Sequence, residues 1–202
     1  MTMPAIVLAS SSITRQKQLR QFGIPHTIDT PDIDETPFDH EDAEQLVTRL
    51  AIAKAKIVGK RHTNAIIIAG DQVLSLGKSI LGKPMCAEKA MAQLKGCSGK
   101  IGFFYTGVAI FCTERQQAFH KTIASQICYN TLSSQQISQY LQLEQPFKCA
   151  GSIQIESAGI TLVKNIHSSD PFAILGLPLQ SLTNLFKNSG YDLIGDFCQN
   201  LT

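Results

Sequence analysis

The run Ile66-Ile67-Ile68-Ala69-Gly70-Asp71-Gln72-Val73-Leu74-Ser75-Leu76-Gly77-Lys78-Ser79-Ile80-Leu81-Gly82-Lys83-Pro84 decides how this chain is read. Its unbroken apolar start predicts a strand over 65–69 buried on both faces. The strand ends in Gly70 and then Asp71. A carboxylate is rarely fully buried without a partner, so Asp71 either faces a solvated site or is held by a cation. Beyond it, Val73–Leu76 and Ile80–Leu81 predict a hairpin turning at Gly77-Lys78-Ser79. The Gly-Lys-Ser ending resembles a phosphate-binding P-loop, but that motif needs a glycine where this chain has Gln72, and no helix signal follows. The hairpin turn is the better reading.

Working outward, Ala5–Ala9 predicts a short strand, followed by Ser10-Ser11-Ser12 and a helix to about Phe22 with a serine N-cap. Residues 29–44 hold eight of the chain's 16 acidic residues, including Asp34-Glu35-Thr36. Ala43, Leu46, Val47, Leu50, Lys54, Ile57 and Val58 then recur at helical spacing. Ala87–Lys95 predicts a helix closed by Gly96. Phe103–Cys112 and Thr122–Asn130 predict two long strands. Ser133-x-x-Gln136 is a capping box opening a helix through Tyr140, Gly159–Val163 predicts a strand, and Pro178–Asn188 a last helix ending before Gly190. The segment 191–202 is weakly patterned and expected to be peripheral. The fold class expected is α/β, a mixed twisted sheet with flanking helices, in one domain spanning 1–202.

The chain of 202 residues carries a net charge of +2, which gives no electrostatic case for a nucleic-acid or anionic-membrane partner. No apolar run approaches the roughly 20 residues that span a bilayer, and the N-terminus lacks a signal peptide's charged start. The six cysteines show no Cys-x-x-Cys pair or metal-ligand spacing, so buried free thiols in a reducing cytoplasm are expected.

Several residues can carry chemistry. Ser10 and Arg15 lie where a strand enters a helix, a place that offers free backbone N–H groups to an anion; simple capping beside an exposed arginine is the plainer alternative. A carboxylate of Asp34-Glu35 can hold a divalent cation that bridges substrate phosphates, or merely be solvated. Lys54 falls on the apolar stripe of its helix, and either snorkels to solvent or points into a polar pocket. Lys83, in Gly82-Lys83-Pro84, falls near the hairpin's open end and so near Asp71. If 152–156 is extended, Ser152, Gln154 and Glu156 share one face, and a carboxylate there matches the adjacent N1–H and N2–H₂ donors of guanine.

Taken together, these pieces resemble the Maf family of nucleoside triphosphate pyrophosphatases. The resemblance is carried by Leu8-Ala9-Ser10-x-Ser12 with Arg15, Asp34-Glu35-Thr36, Ala53-Lys54-Ala55, Gly70-Asp71-Gln72-Val73, Gly82-Lys83-Pro84, Phe104-Tyr105-Thr106-Gly107, Ala150-Gly151 and Gly176-Leu177-Pro178, in order from Ile6 to about Gly190. It implies a two-lobed architecture with a central cleft, and hydrolysis of a nucleoside triphosphate between the α and β phosphates with a divalent cation, Mg²⁺ or Mn²⁺. Asp71 would be the proton acceptor, Ser10, Arg15, Lys54 and Lys83 would bind phosphates, and Glu35 with Asp71 would contact the metal. A nucleotide is the implied small-molecule partner, and a homodimer is compatible with the resemblance. Thr14, Gln72 and Glu156 match the positions that sort the family's branches. The dTTP/UTP branch carries Arg, Thr and Gln there, whereas Gln72 and Glu156 resemble the branch acting on 7-methyl-GTP. That branch often has Trp where this chain has Thr14, and Ile13 replaces the family's usual proline. A non-catalytic regulator of septum formation, binding nucleotide or nucleic acid, is the alternative from another class.

Overall fold

The computed structural model describes residues 3–197. Along the chain run β1 (Ala5–Leu8), α1 (Ile13–Gln21), β2 (Thr27–Ile28), α2 (Ala43–Gly59), β3 (Ala65–Leu76), β4 (Ser79–Leu81), α3 (Ala87–Cys97), β5 (Ile101–Cys112), β6 (Gln117–Tyr129), α4 (Ser134–Glu144), β7 (Val163–His167) and α5 (Leu179–Asn188). The strands form a seven-stranded mixed sheet in the order β2-β1-β3-β5-β6-β7, with β4 on β3. β1 is parallel to β2 and β3, while β4 and β7 pair antiparallel with β3 and β6. None of the described helices is long and apolar enough to cross a membrane.

The chain divides into two compact units. The first comprises the chain through Asp71, residues Thr106–Thr122 and the chain from Asp170 onward. Strand alternation explains its packing, since successive side chains face opposite ways. Ile6, Leu8, Ile66, Ile68, Val108 and Ile110 point to one face, where Leu19 of α1 and Leu179, Leu182, Leu185 and Phe186 of α5 cover them. Val7, Ala65, Ile67, Ala69, Ala109 and Phe111 point to the other, against Ala51, Ala55 and Val58 of α2. The second unit comprises Gln72–Tyr105 and Ile123–Ser169. There α3 packs on α4, and Leu74, Leu94, Ile127 and Ile137 are fully buried.

Glycine permits the close approach of α2. A Cβ on Gly107 in β5 would lie 2.5 Å from the Val47 carbonyl oxygen, a contact with backbone that cannot turn aside. Gly107→Ala is therefore expected to cost about 1–3 kcal/mol, the usual range for overpacking, as a lowered midpoint in thermal unfolding. An unchanged midpoint would show that α2 shifts freely.

Several elements differ from the sequence expectation. The strand predicted to end at Ala69 continues through Leu76, because β4 and β5 pair with its second half; Asp71 thus lies inside a strand rather than beyond one. Gly96 sits within α3, which closes at Ser98 ahead of Gly99 with φ 67°. Residues Ala158–Leu162 are 3₁₀-helical, and the strand follows at Val163. Leu193 and Phe197 bury into the α5 face of the first unit, so the segment after Tyr191 is part of the core as far as it is described. Other expectations hold, including both hairpin strands around Gly77-Lys78 and the capping box at Ser133. The described cysteines are free thiols, but only Cys97 and Cys112 are buried as expected; Cys86, Cys128 and Cys149 are half-buried, and Cys198 lies outside the described residues.

Candidate active site

Parallel pairing of β1 with β3 stops at Leu8 opposite Ile68. β3 runs on, so Gly70 and Asp71 pass beyond the carboxyl end of β1, a usual ligand position in α/β sheets. Alternation then assigns each a face. Asp71 follows Ile67 and Ala69 toward α2; Gly70 follows Ile66 and Ile68 toward α1.

On the α2 face, Lys54 projects from the buried side of its helix and is only 6 % exposed. Its Nζ donates to Asp71 Oδ1 at 2.7 Å and lies 2.6 Å from Glu35 Oε1. The sequence left two readings of Lys54 open, and the structure decides for the polar pocket. Asp71 is likewise held by a cation. Glu35 comes from the irregular segment before α2, and its side chain is 46 % exposed. One carboxylate of the trio is therefore buried and the other open to water.

On the α1 face, Ser12 caps the helix by accepting from the Arg15 backbone N–H. The Arg15 side chain is half-buried. Its Nε donates to the Gly176 carbonyl at 2.7 Å and its Nη1 to Ser10 Oγ at 3.2 Å. Gly176 has φ 99°, a left-handed backbone that suits glycine. The turn it belongs to is tied to α1 a second time by the buried Gln18, whose Nε2 donates to the Leu177 carbonyl at 3.1 Å. A Cβ on Gly70 would lie 3.3 Å from Arg15 Nε and 3.0 Å from the Gly107 carbonyl, so a small residue is needed there. Burial lowers the Arg15 guanidinium from its ordinary value, opposed by the charges of Asp71 and Glu35. A guanidinium remains protonated in proteins at neutral pH. Five groups thus meet in the first unit: a serine hydroxyl, a guanidinium, an ammonium and two carboxylates.

The chain matches the model of the family described as Maf-like protein over residues 5–189. The chain belongs to the Maf family. It is 46 % identical over 193 residues to a protein of Nitrosococcus oceani named 7-methyl-GTP pyrophosphatase, covering 95 % of this chain and 96 % of that one. Proteins of the same name from Hydrogenovibrio crunogenus and Cupriavidus metallidurans are 40 % and 37 % identical, with 95 % and 96 % of this chain covered and 96 % and 98 % of theirs. Among solved structures, a HAM1 protein from Coxiella burnetii shares the fold, with a TM-score of 0.51 at 16 % identity, covering 92 % of this chain and all of that one.

The remaining candidates in this Maf chain separate by unit. Thr14 lies half-buried in the first turn of α1. Gln72, Lys83 and Glu156 belong to the second unit. Lys83 and Glu156 are both exposed and both act on the Cys149 thiol, Glu156 raising and Lys83 lowering its pKa. The face expected for Ser152, Gln154 and Glu156 does not exist. Gly151 and Ser152 have φ of 64° and 60°, which breaks the extended run. Ser152 is fully buried and donates to Gln93 Oε1, while Glu156 lies in an exposed turn. Gly151 takes this conformation packed directly on Leu74, where any side chain would collide.

Burial pushes the Cys97 thiol up to about 11 and raises Cys112 and Cys149, so these thiols stay protonated at neutral pH. Among the described residues no three His, Cys, Asp or Glu side chains cluster as a metal cage. One contribution to the site carries no side-chain signal in the sequence: the Gly176 carbonyl acts through its backbone.

Proposed function

We propose that this protein is a nucleoside triphosphate pyrophosphatase that hydrolyses 7-methyl-GTP between the α and β phosphates, giving 7-methyl-GMP and pyrophosphate. The observation carrying this reading is Lys54 Nζ held between Asp71 and Glu35, beside the Arg15–Ser10 pair. The 36–46 % identity of the chain to proteins named for that activity supports it.

Ser10, Arg15 and Lys54 bind and orient the phosphates, joined by Lys83. Positioning and charge stabilisation carry most of phosphoryl chemistry. Asp71 accepts the proton of the attacking water. Glu35 and Asp71 converge on one ammonium, and their donor chemistry fits Mg²⁺ or Mn²⁺, which commonly takes one or two carboxylates and completes its shell with water and phosphate. When bound, the cation neutralises phosphate charge and polarises the P–O bond. The setting is a cytoplasmic one, with a free nucleotide as partner and no stable nucleic-acid complex.

Glu156 and Gln72 set the base preference. Methylation at N7 makes guanine cationic, and a carboxylate both accepts from N1–H and N2–H₂ and offsets that charge. Pyrophosphate release across GTP, 7-methyl-GTP, UTP and dTTP is expected to rank 7-methyl-GTP first. Glu156→Gln is expected to reduce its preference over UTP about tenfold, the loss of one charge-assisted hydrogen bond. Faster turnover of UTP and dTTP would assign the chain to pyrimidine nucleotides, and an unchanged ratio in the variant would remove Glu156 from base selection.

A further inference from the structure

Glu35 reaches Lys54 from a segment, 34–41, that has no helix or strand to hold it. Besides the backbone bond from Glu41 N to the Phe38 carbonyl, side-chain bonds that shape it converge on Arg49 of α2. Arg49 Nε donates to Glu41 Oε1 at 2.6 Å, and its Nη2 to Glu41 Oε2 at 2.7 Å. The same Nη2 donates to the carbonyl of Thr36 at 3.1 Å, one residue after Glu35. The guanidinium carbon lies 3.9 Å from the centroid of the Phe38 ring. Two local bonds shape the segment further: Thr36 N donates to Asp34 Oδ1 at 2.9 Å, and Phe38 N to Glu41 Oε2 at 3.0 Å.

An isolated exposed ion pair would fix little. This one is a fork on a carboxylate whose side chain is only 8 % exposed, and bidentate pairing adds directional constraint. The Arg49 hydrogen bond holds the Glu41 carboxyl below its usual value, so it is ionised at neutral pH. Arg49 and Lys54 share one helix, so the residue that grips the segment and the residue that receives Glu35 move as a unit.

We propose that Arg49 is a positioning residue: it clamps the 34–41 segment to α2 so that Glu35 meets Lys54. The proposal rests on the reading of Glu35 as a cation and phosphate residue. It requires arginine, because a lysine supplies the charge without the fork or the flat face for Phe38.

The test is a double-mutant cycle on kcat/KM for pyrophosphate release, using whichever nucleotide the substrate panel ranks first. Arg49→Met is expected to lower kcat/KM roughly 10- to 100-fold, the scale of a misplacement of about 1 Å. In a Glu35→Gln background the same change should cost no more than about twofold, because the two residues act as one. Arg49→Lys should recover little of the loss. Mn²⁺ binding to the nucleotide-free protein, read by electron paramagnetic resonance, should weaken in Arg49→Met as it does in Glu35→Gln. An equal loss from Arg49→Met in both backgrounds would overturn the positioning role while leaving Glu35 in place. A Glu35→Gln variant of full activity would overturn the reading of Glu35 and this proposal with it. Should Arg49→Met fail to fold, Glu41→Gln weakens the clamp from its other side and runs through the same cycle.

Discussion

Asp71→Asn is expected to lower pyrophosphate release by about 10²- to 10⁴-fold, the range that positioned proton transfer supplies, while nucleotide binding and the fold persist. Asparagine matches aspartate in size, and its amide oxygen still accepts from Lys54 Nζ where Asp71 Oδ1 now does. Strand β3 keeps its backbone pairing, and Lys54 keeps Glu35 as its counter-charge. What disappears is the negative charge and the capacity to take a proton from water. Single-turnover pyrophosphate release should therefore collapse, with calorimetric nucleotide affinity and the thermal midpoint little changed. Turnover within about fivefold of the wild-type rate, well under the contribution of a general base, would remove Asp71 from the reaction. A wild-type protein that binds nucleotide without releasing pyrophosphate would instead favour a regulator.

How far this site was legible follows from the range of the forces that build it. Ile66–Ala69 declares itself as a buried strand through local composition, and the ordered motifs from Ser10 to Pro178 declare the family. Lys54 declares itself as an anomaly, since an ammonium on an apolar helical stripe needs a reason. Its partner does not, because the register that puts Asp71 beneath α2 depends on where β1 stops and on how β4 and β5 extend β3. The misplaced end of that strand has the same cause. The supposed face of Ser152, Gln154 and Glu156 failed for a local reason. Positive φ at Gly151, which packs on Leu74, is foreseeable for glycine, but at Ser152, which donates to Gln93, no residue preference announces it. The Arg49 clamp was not legible at all. It works through a backbone carbonyl and a carboxylate eight residues upstream, a spacing outside the i, i+3 and i+4 pairs that helices advertise.

Lys54→Met is expected to cost about 3 kcal/mol of stability and to abolish measurable turnover. Methionine is close to lysine in volume and fills irregular space well, so the loss is electrostatic rather than a cavity. Asp71, 8 % exposed, would remain buried without its ammonium, and stranding one member of a buried ion pair costs about 3–5 kcal/mol. The lower end applies because the Arg15 charge also acts on Asp71, and because Glu35 can turn toward water. Combining Lys54→Met with Asp71→Asn should restore most of the stability at neutral pH, since no unpaired buried charge is left, yet leave the protein inactive. Denaturant titrations of the three variants at neutral pH read this directly. If Lys54→Met alone proved as stable as wild type, Lys54 and Asp71 would not be energetically coupled. Stability and catalysis would then be separate demands on this helix, rather than two consequences of one ammonium held between two carboxylates.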